Sequence, residues 1–180
     1  MTIRVAKYLR RCTEATSRFR PAQGGATAVE FALIAPIFIA TLVALFQTCL
    51  FLFAQTVIQT EAETAARYFM TGQAQNGGWT ASTVINKVCQ SALFNCNNMY
   101  MVVQNYSDFA SANTSAPAMY SGSTAITSYT YNPGTQNAIM VVQLIYAWPT
   151  VTGPLGFNIS NLPNNGAELM GVAAFRVEPY

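Results

Sequence analysis

The stretch GGATAVEFALIAPIFIA, Gly24 to Ala40, sets a single carboxylate, Glu30, at the mouth of a long apolar run. From Phe31 to Ala54 the chain continues FALIAPIFIATLVALFQTCLFLFA, 24 residues without a charge. About 20 such residues cross a bilayer core as a helix. A cleaved secretory signal has a shorter apolar core, about 7–15 residues, and a small-residue cleavage site beyond it. LFAQT, which follows here, is a poor version of such a site. The run therefore reads as an anchor that stays in the chain at its far end.

The charge pattern gives the anchor a direction. Six of the nine basic residues (Arg4, Lys7, Arg10, Arg11, Arg18 and Arg20) precede the run, with one acid, Glu14, among them. Positive residues resist translocation, so this stub is expected in the cytoplasm and the residues after the run outside the inner membrane. From residue 26 onward there are three basic against six acidic side chains. That balance leaves no basic surface for a nucleic-acid partner. The chain is 52% hydrophobic and 9% charged, far below the roughly 25% charged of an ordinary soluble domain. It has no histidine, which removes the commonest general base, the commonest metal ligand and every Ser-His or Cys-His arrangement. Ser-Lys and carboxylate chemistry stay open on this count, but the expectation is a protein that is not an enzyme, with no cofactor and no metal site.

Beyond the anchor, Ile58, Ala62, Ala65, Ala66 and Phe69 keep helical spacing on one face, and Gly72 is a stop signal before the turn-rich QNGGW. A single helix from about Ala26 to Gly72 would be about 70 Å long. Its first half would lie in lipid and its second half would enter a folded domain. Pro36 removes one backbone hydrogen bond, and a local loosening is expected there. Glu61 and Glu63, two apart on this helix, point in different directions and read as solvated surface.

Glu30 has a plain reading, as a solvated acid marking where the membrane starts, and a sharper one. If the chain is cut after Gly25, Ala26 becomes the new amino terminus and Glu30 lies one helical turn from it. A lone carboxylate in lipid costs roughly 2.5–3.5 kcal/mol on insertion scales, so an unpaired subunit is driven toward a partner.

At these residues the chain resembles a known family. The basic leader, Gly25 and ATAVEF look like a type IV prepilin processing site, and RPAQGGATAVEFALIAPIF resembles the start of TadE-like pseudopilins of the Tad/Flp tight-adherence pilus system. AAFRVEPY, Ala173 to Tyr180, is similar to the ending of many such proteins. The resemblance implies a type IV pilin-like protein whose leader is removed by a prepilin peptidase. Gly25 would be the residue before the cut, Ala26 the new terminus, and Glu30 with its neighbour Phe31 the assembly residues. Gly24 offers a neighbouring, second-ranked cut. Other pseudopilins, the major pilin and the pilus assembly platform would be its partners.

Outside the membrane, Thr80 or Ser82 caps a short helix that carries Val84, Ile85, Val88, Cys89 and Ala92 on one side. Three strand-like runs follow: Met99 to Asn105, Ala138 to Trp148, and Gly171 to Glu178. The middle one is apolar on both faces, as a central strand covered on each side would be. Long polar tracts, 108–134 and 150–166, separate them and are the expected places of partner contact. Of the four cysteines, Cys89 and Cys96 fall in the oxidising compartment, where disulfides persist. On an unbroken helix they would be about 10.5 Å apart along the axis, whereas a disulfide needs Cα atoms within roughly 4.4–6.8 Å. A bond between them therefore requires the helix to end around Ala92 to Asn95. Metal binding is the alternative, but two thiols without histidine make a poor site.

The expectation is an α+β protein. It has a long N-terminal helix (a transmembrane half and an outer half), a short second helix and a small antiparallel sheet. Residues 1–25 form a cytoplasmic leader, 26–54 a membrane helix and 55–180 a periplasmic domain. Its expected role is a minor pilin supporting assembly of a Tad-type pilus. The first rival is a membrane-tethered periplasmic adhesin or binding module whose anchor is never cut; the second is an anchored periplasmic enzyme, for which a convergent pocket of polar groups beneath the long loops would be the support.

Overall fold

A computed structural model describes residues 23–89, 93–153 and 156–180. The basic leader expected over 1–25 lies mostly outside the described residues, as does Cys12. Helix α1, Gln23–Met70, runs without a break through Pro36. It is followed by a four-residue helix α2, Gln73–Asn76, and by α3, Ala81–Val88. Gly72, in the left-handed conformation with φ 73°, separates α1 from α2.

Contacts divide the chain between Val43 and Ala44. The first unit contributes an apolar helix. Val29, Phe31, Leu33, Ile34, Ile37, Phe38 and Ile39 on it are all exposed. Thr41 donates its hydroxyl to the Ile37 carbonyl one turn back at 2.9 Å, so this polar group is satisfied within the helix.

The second unit, from Ala44 onward, is built on a three-stranded antiparallel sheet in the order β1 (Met99–Tyr106), β4 (Ile139–Pro149), β5 (Gly166–Arg176). A minimal hairpin, β2 (Tyr120–Ser121) with β3 (Thr124–Ala125), lies in the connection between β1 and β4. The predicted strands are present with shifted limits. The largest shift is at β5, which begins five residues earlier than the sequence reading placed it, because Ala167 and Leu169 are buried and pair with Trp148 and Tyr146.

The C-terminal part of α1 packs against this sheet. Ala54, Ile58, Ala62, Ala65 and Phe69 are fully buried and follow one another at steps of four or three, one face of a helix. They join the inward residues of the strands, among them Met101, Val103, Met140, Val142, Leu144 and Leu169, in a single core. Burying side chains such as Ile58 and Phe69 stabilises by about 1.5–3 kcal/mol each. The small residues in the stripe let the helix lie close. A Cβ placed on Gly171 of β5 would come within 2.3 Å of the Ile58 carbonyl oxygen and 2.9 Å of the Ala62 side chain.

Strand β4 is buried continuously from Met140 to Tyr146. Its alternate residues face opposite ways, so both sides of the sheet are covered. The second side, with Val141, Gln143 and Ile145, lies under the long segment between β1 and β4. Gln143 donates its amide to the Ser115 carbonyl at 2.9 Å, and Met119 is buried. Part of the tract that the sequence marks as a contact loop is thus structural cover.

Neither long edge of the sheet is left bare. On the β5 side, Gln55 donates to the Met170 carbonyl at 2.7 Å. Gln59 both donates to the Val172 carbonyl at 2.9 Å and accepts from the Val172 N–H at 3.0 Å. On the β1 side, the Val103 N–H donates to the Thr130 carbonyl at 2.9 Å and its carbonyl accepts from Asn132 at 2.8 Å, a short parallel bridge. Covering edges in this way removes templates for stray pairing.

Candidate functional site

The beginning of α1 carries the residues that the sequence singles out. Gly25 is exposed, and a Cβ there would meet nothing within 4 Å. Glu30 is exposed, and Phe31 beside it is 73% exposed. Ala26 lies in the same helix, four residues before Glu30. The helical rise sets the two positions about 6 Å apart along the axis. The arrangement is a fully helical, apolar rod with one carboxylate in its second turn. It offers a surface for lipid or for other helices.

Cys89 and Cys96 are joined, with an S–S distance of 2.04 Å and Cα atoms 6.0 Å apart. Helix α3 stops at Val88, earlier than the sequence reading placed its end, because Cys89 already adopts an extended backbone (φ −66°, ψ 128°). Its stripe is therefore Val84, Ile85 and Val88, without Cys89, while Ala92 lies outside the described residues. Thr80 caps the start of α3 by accepting from the Thr83 N–H at 3.3 Å. A short 3-10 turn, Cys96–Asn98, leads from the disulfide into β1. Cys49 is a free, exposed thiol on α1.

Two concave regions lie in the second unit. One, about 620 Å³, opens beside α1 and α3 between Phe53, Val57, Glu61, Lys87 and Leu93. Glu61 is only 3% exposed, whereas Glu63 is exposed. The sequence reading separated their directions but took both for solvated surface. The missed signal was spacing: Glu61 stands three residues after Ile58, on the buried stripe. Lys87 holds its ammonium 4.5 Å from the centre of the Trp79 ring.

The other, about 520 Å³, lies at one end of the sheet between Asn98, Tyr100, Tyr120, Asn164 and Asn165. Near it the rings of Tyr100 and Tyr129 are 5.4 Å apart. Among the described residues nothing donates to the buried Oε1 of Glu168, and burial pushes its carboxyl above the ordinary value. The Tyr129 hydroxyl is likewise raised, first by burial and then by Tyr100 and Glu168. No signal in the sequence drew these residues together, since their segments are distant in the chain. Among the described residues, no three His, Cys, Asp or Glu side chains come together.

A long apolar helix whose C-terminal part packs on a small antiparallel sheet is consistent with the α+β architecture of a pilin-like protein. Among the described residues, one helix, Thr27–Met70, is long and apolar enough to cross a membrane. The family model described as TadE-like protein matches residues 25–67. The match begins at Gly25, the residue that the resemblance places before the cut, and ends at Arg67 in the part of α1 that carries the buried stripe. No curated protein and no solved structure matches the chain.

Proposed function

We propose that the chain is a single-pass inner-membrane protein that supports assembly of a Tad-type pilus as a minor pilin. In this reading residues 1–25 are a cytoplasmic leader, 26–54 span the membrane and 55–180 form a periplasmic domain. A prepilin peptidase cuts between Gly25 and Ala26. Glu30, with Phe31 beside it, then docks against the amino terminus of a neighbouring pseudopilin or major pilin. Pairing offsets the roughly 2.5–3.5 kcal/mol that an isolated carboxylate costs in lipid, so assembly is favoured over the free subunit. The protein has no catalytic role.

The observation that carries this reading is the TadE-like match over 25–67, which falls on one unbroken helix, Gln23–Met70. The test is Glu30→Ala in cells that make the pilus. The expected result is normal membrane levels of the variant with pilus production lost. Intact pilus production would favour the second reading, a membrane-tethered adhesin or binding module. The open region between Asn98, Tyr100 and Asn164 supports that alternative, since aromatic rings and amides are the groups that recognise small polar ligands.

A further inference from the structure

The concave region at the end of the sheet is about 520 Å³, within the roughly 300–1,000 Å³ of small-ligand sites. Its lining belongs to the second unit alone. The entry to β1, the hairpin β2–β3, the exit from β4 and the entry to β5 meet there.

The polar groups around it are fixed by the backbone. Asn95 accepts the Asn97 N–H at 3.2 Å, and Asn164 accepts the Gly166 N–H at 3.1 Å. With each amide oxygen engaged, the NH2 group of the same amide is the one that meets a ligand. Asn165 takes the left-handed conformation, φ 56°, and its carbonyl accepts both the N–H and the hydroxyl of Thr150. Asparagine tolerates that backbone better than most residues. Asn98, Asn164 and Asn165 are all exposed.

Between these amides the wall is aromatic or apolar. The Tyr100 ring is braced by Tyr129, with centres 5.4 Å apart, and Tyr120 lines the region with it. Met119 is buried beneath. Among the described residues, none that lines the region is charged. A phosphate or carboxylate would call for a cation here, and an ammonium for a carboxylate. Glu168 pairs across the sheet with Ala147, but it is outside the lining and its Oε1 is buried.

Amides with both donors and acceptors, flat rings and no fixed charge suit a ligand with hydroxyls at its edge and C–H bonds on its face. We propose that the region between Asn98, Tyr100, Asn164 and Asn165 binds an uncharged saccharide. The C–H face of a sugar ring lies on the tyrosines, whose ring faces carry partial negative charge, and the asparagine amides meet its hydroxyls. This holds whether or not the leader is cut, so its failure would leave the pilus reading in place.

The test uses the full chain in a polyoxyethylene detergent, which has no sugar headgroup to compete. The protein is applied to an array of neutral oligosaccharides built from glucose, galactose, mannose and N-acetylglucosamine. Sialylated and phosphorylated oligosaccharides and a lysine-rich peptide serve as charged controls. The best neutral sugar is then titrated by calorimetry against Tyr100→Ala and Asn165→Gly. The glycine variant removes the amide while keeping the left-handed backbone. The expected result is saturable binding of neutral sugars above the charged controls, weakened about tenfold by each variant, with near-ultraviolet circular dichroism of Asn165→Gly unchanged. Binding of no neutral sugar, or undiminished binding by Asn165→Gly, would overturn the proposal. Preference for the lysine-rich peptide would move recognition to Glu168 and overturn it as well.

Discussion

Gln59 acts as a surrogate strand for Val172: one side-chain amide fills both the carbonyl and the N–H that the edge residue turns outward, at 2.9 and 3.0 Å. A primary amide carries both an N–H donor and an oxygen acceptor, so one side chain can meet both groups. The helix thus closes the edge of the sheet with side chains while its small residues close the core.

Gln59→Leu removes both bonds and leaves the Val172 groups without partners beside a helix. A net bond contributes about 1 kcal/mol, and an unsatisfied buried group costs about 1–3 kcal/mol. The expected loss is about 2–3 kcal/mol in urea unfolding of the detergent-solubilised chain, followed by near-ultraviolet circular dichroism. Gln59→Glu keeps the shape but turns a carboxylate oxygen toward the Val172 carbonyl and the Glu63 carboxylate, so its loss at pH 7 should be no smaller than that of Gln59→Leu.

Gly171→Ala tests the close approach of α1 to β5. Its Cβ would lie 2.3 Å from the Ile58 carbonyl oxygen, a backbone atom that a rotamer change cannot relieve. Overpacking of this kind costs about 1–3 kcal/mol and more where backbone must move. The expected outcome is a loss of about 3 kcal/mol in the same unfolding experiment. Gly25→Ala, where a Cβ meets nothing, should leave stability unchanged.

Most of this fold can be read from periodicity, and the exceptions have physical causes. The stripe from Ile58 to Phe69 and the apolar run of β4 stand out because their burial repeats at 3.6 and at every residue. The early start of β5 is hidden in NNGAELM, where Gly166, Ala167 and Leu169 are buried but the glycine and Glu168 interrupt the apolar pattern. The end of α3 at Val88 is hidden because Cys89 continues the apolar spacing while its backbone has already turned. Glu61 was misread because residue type was weighed above position. The cover supplied by Ser115 and Met119, and the edge bonds of Gln55 and Gln59, join segments far apart in sequence. No local pattern encodes such contacts.

Breaking the disulfide with Cys89→Ser and Cys96→Ser frees a short loop between α3 and β1. Loop-closure entropy for so short a segment gives about 2–3 kcal/mol of stabilisation. The double variant is expected to unfold at lower urea by that amount, and reductant should lower the wild type equally while leaving the variant unaffected.

Glu168 makes stability depend on pH. Its carboxyl is raised by burial, so the folded state holds the proton at pH values where the unfolded chain has released it. Stability from this group is fully present below the unfolded value and declines as pH rises through the folded one. Glu168→Gln removes the charge and is expected to raise the melting temperature at pH 7, with the gain shrinking toward pH 4. A gain of equal size at both pH values would show that charge burial is not the cause.

The most direct test of the assembly account is the intact mass and amino-terminal sequence of the protein expressed with and without a prepilin peptidase. The account predicts a peptidase-dependent product beginning at Ala26, which places Glu30 one turn from a freed amino group. A chain that keeps its leader under both conditions would contradict it and leave the tethered binding module as the reading of this protein.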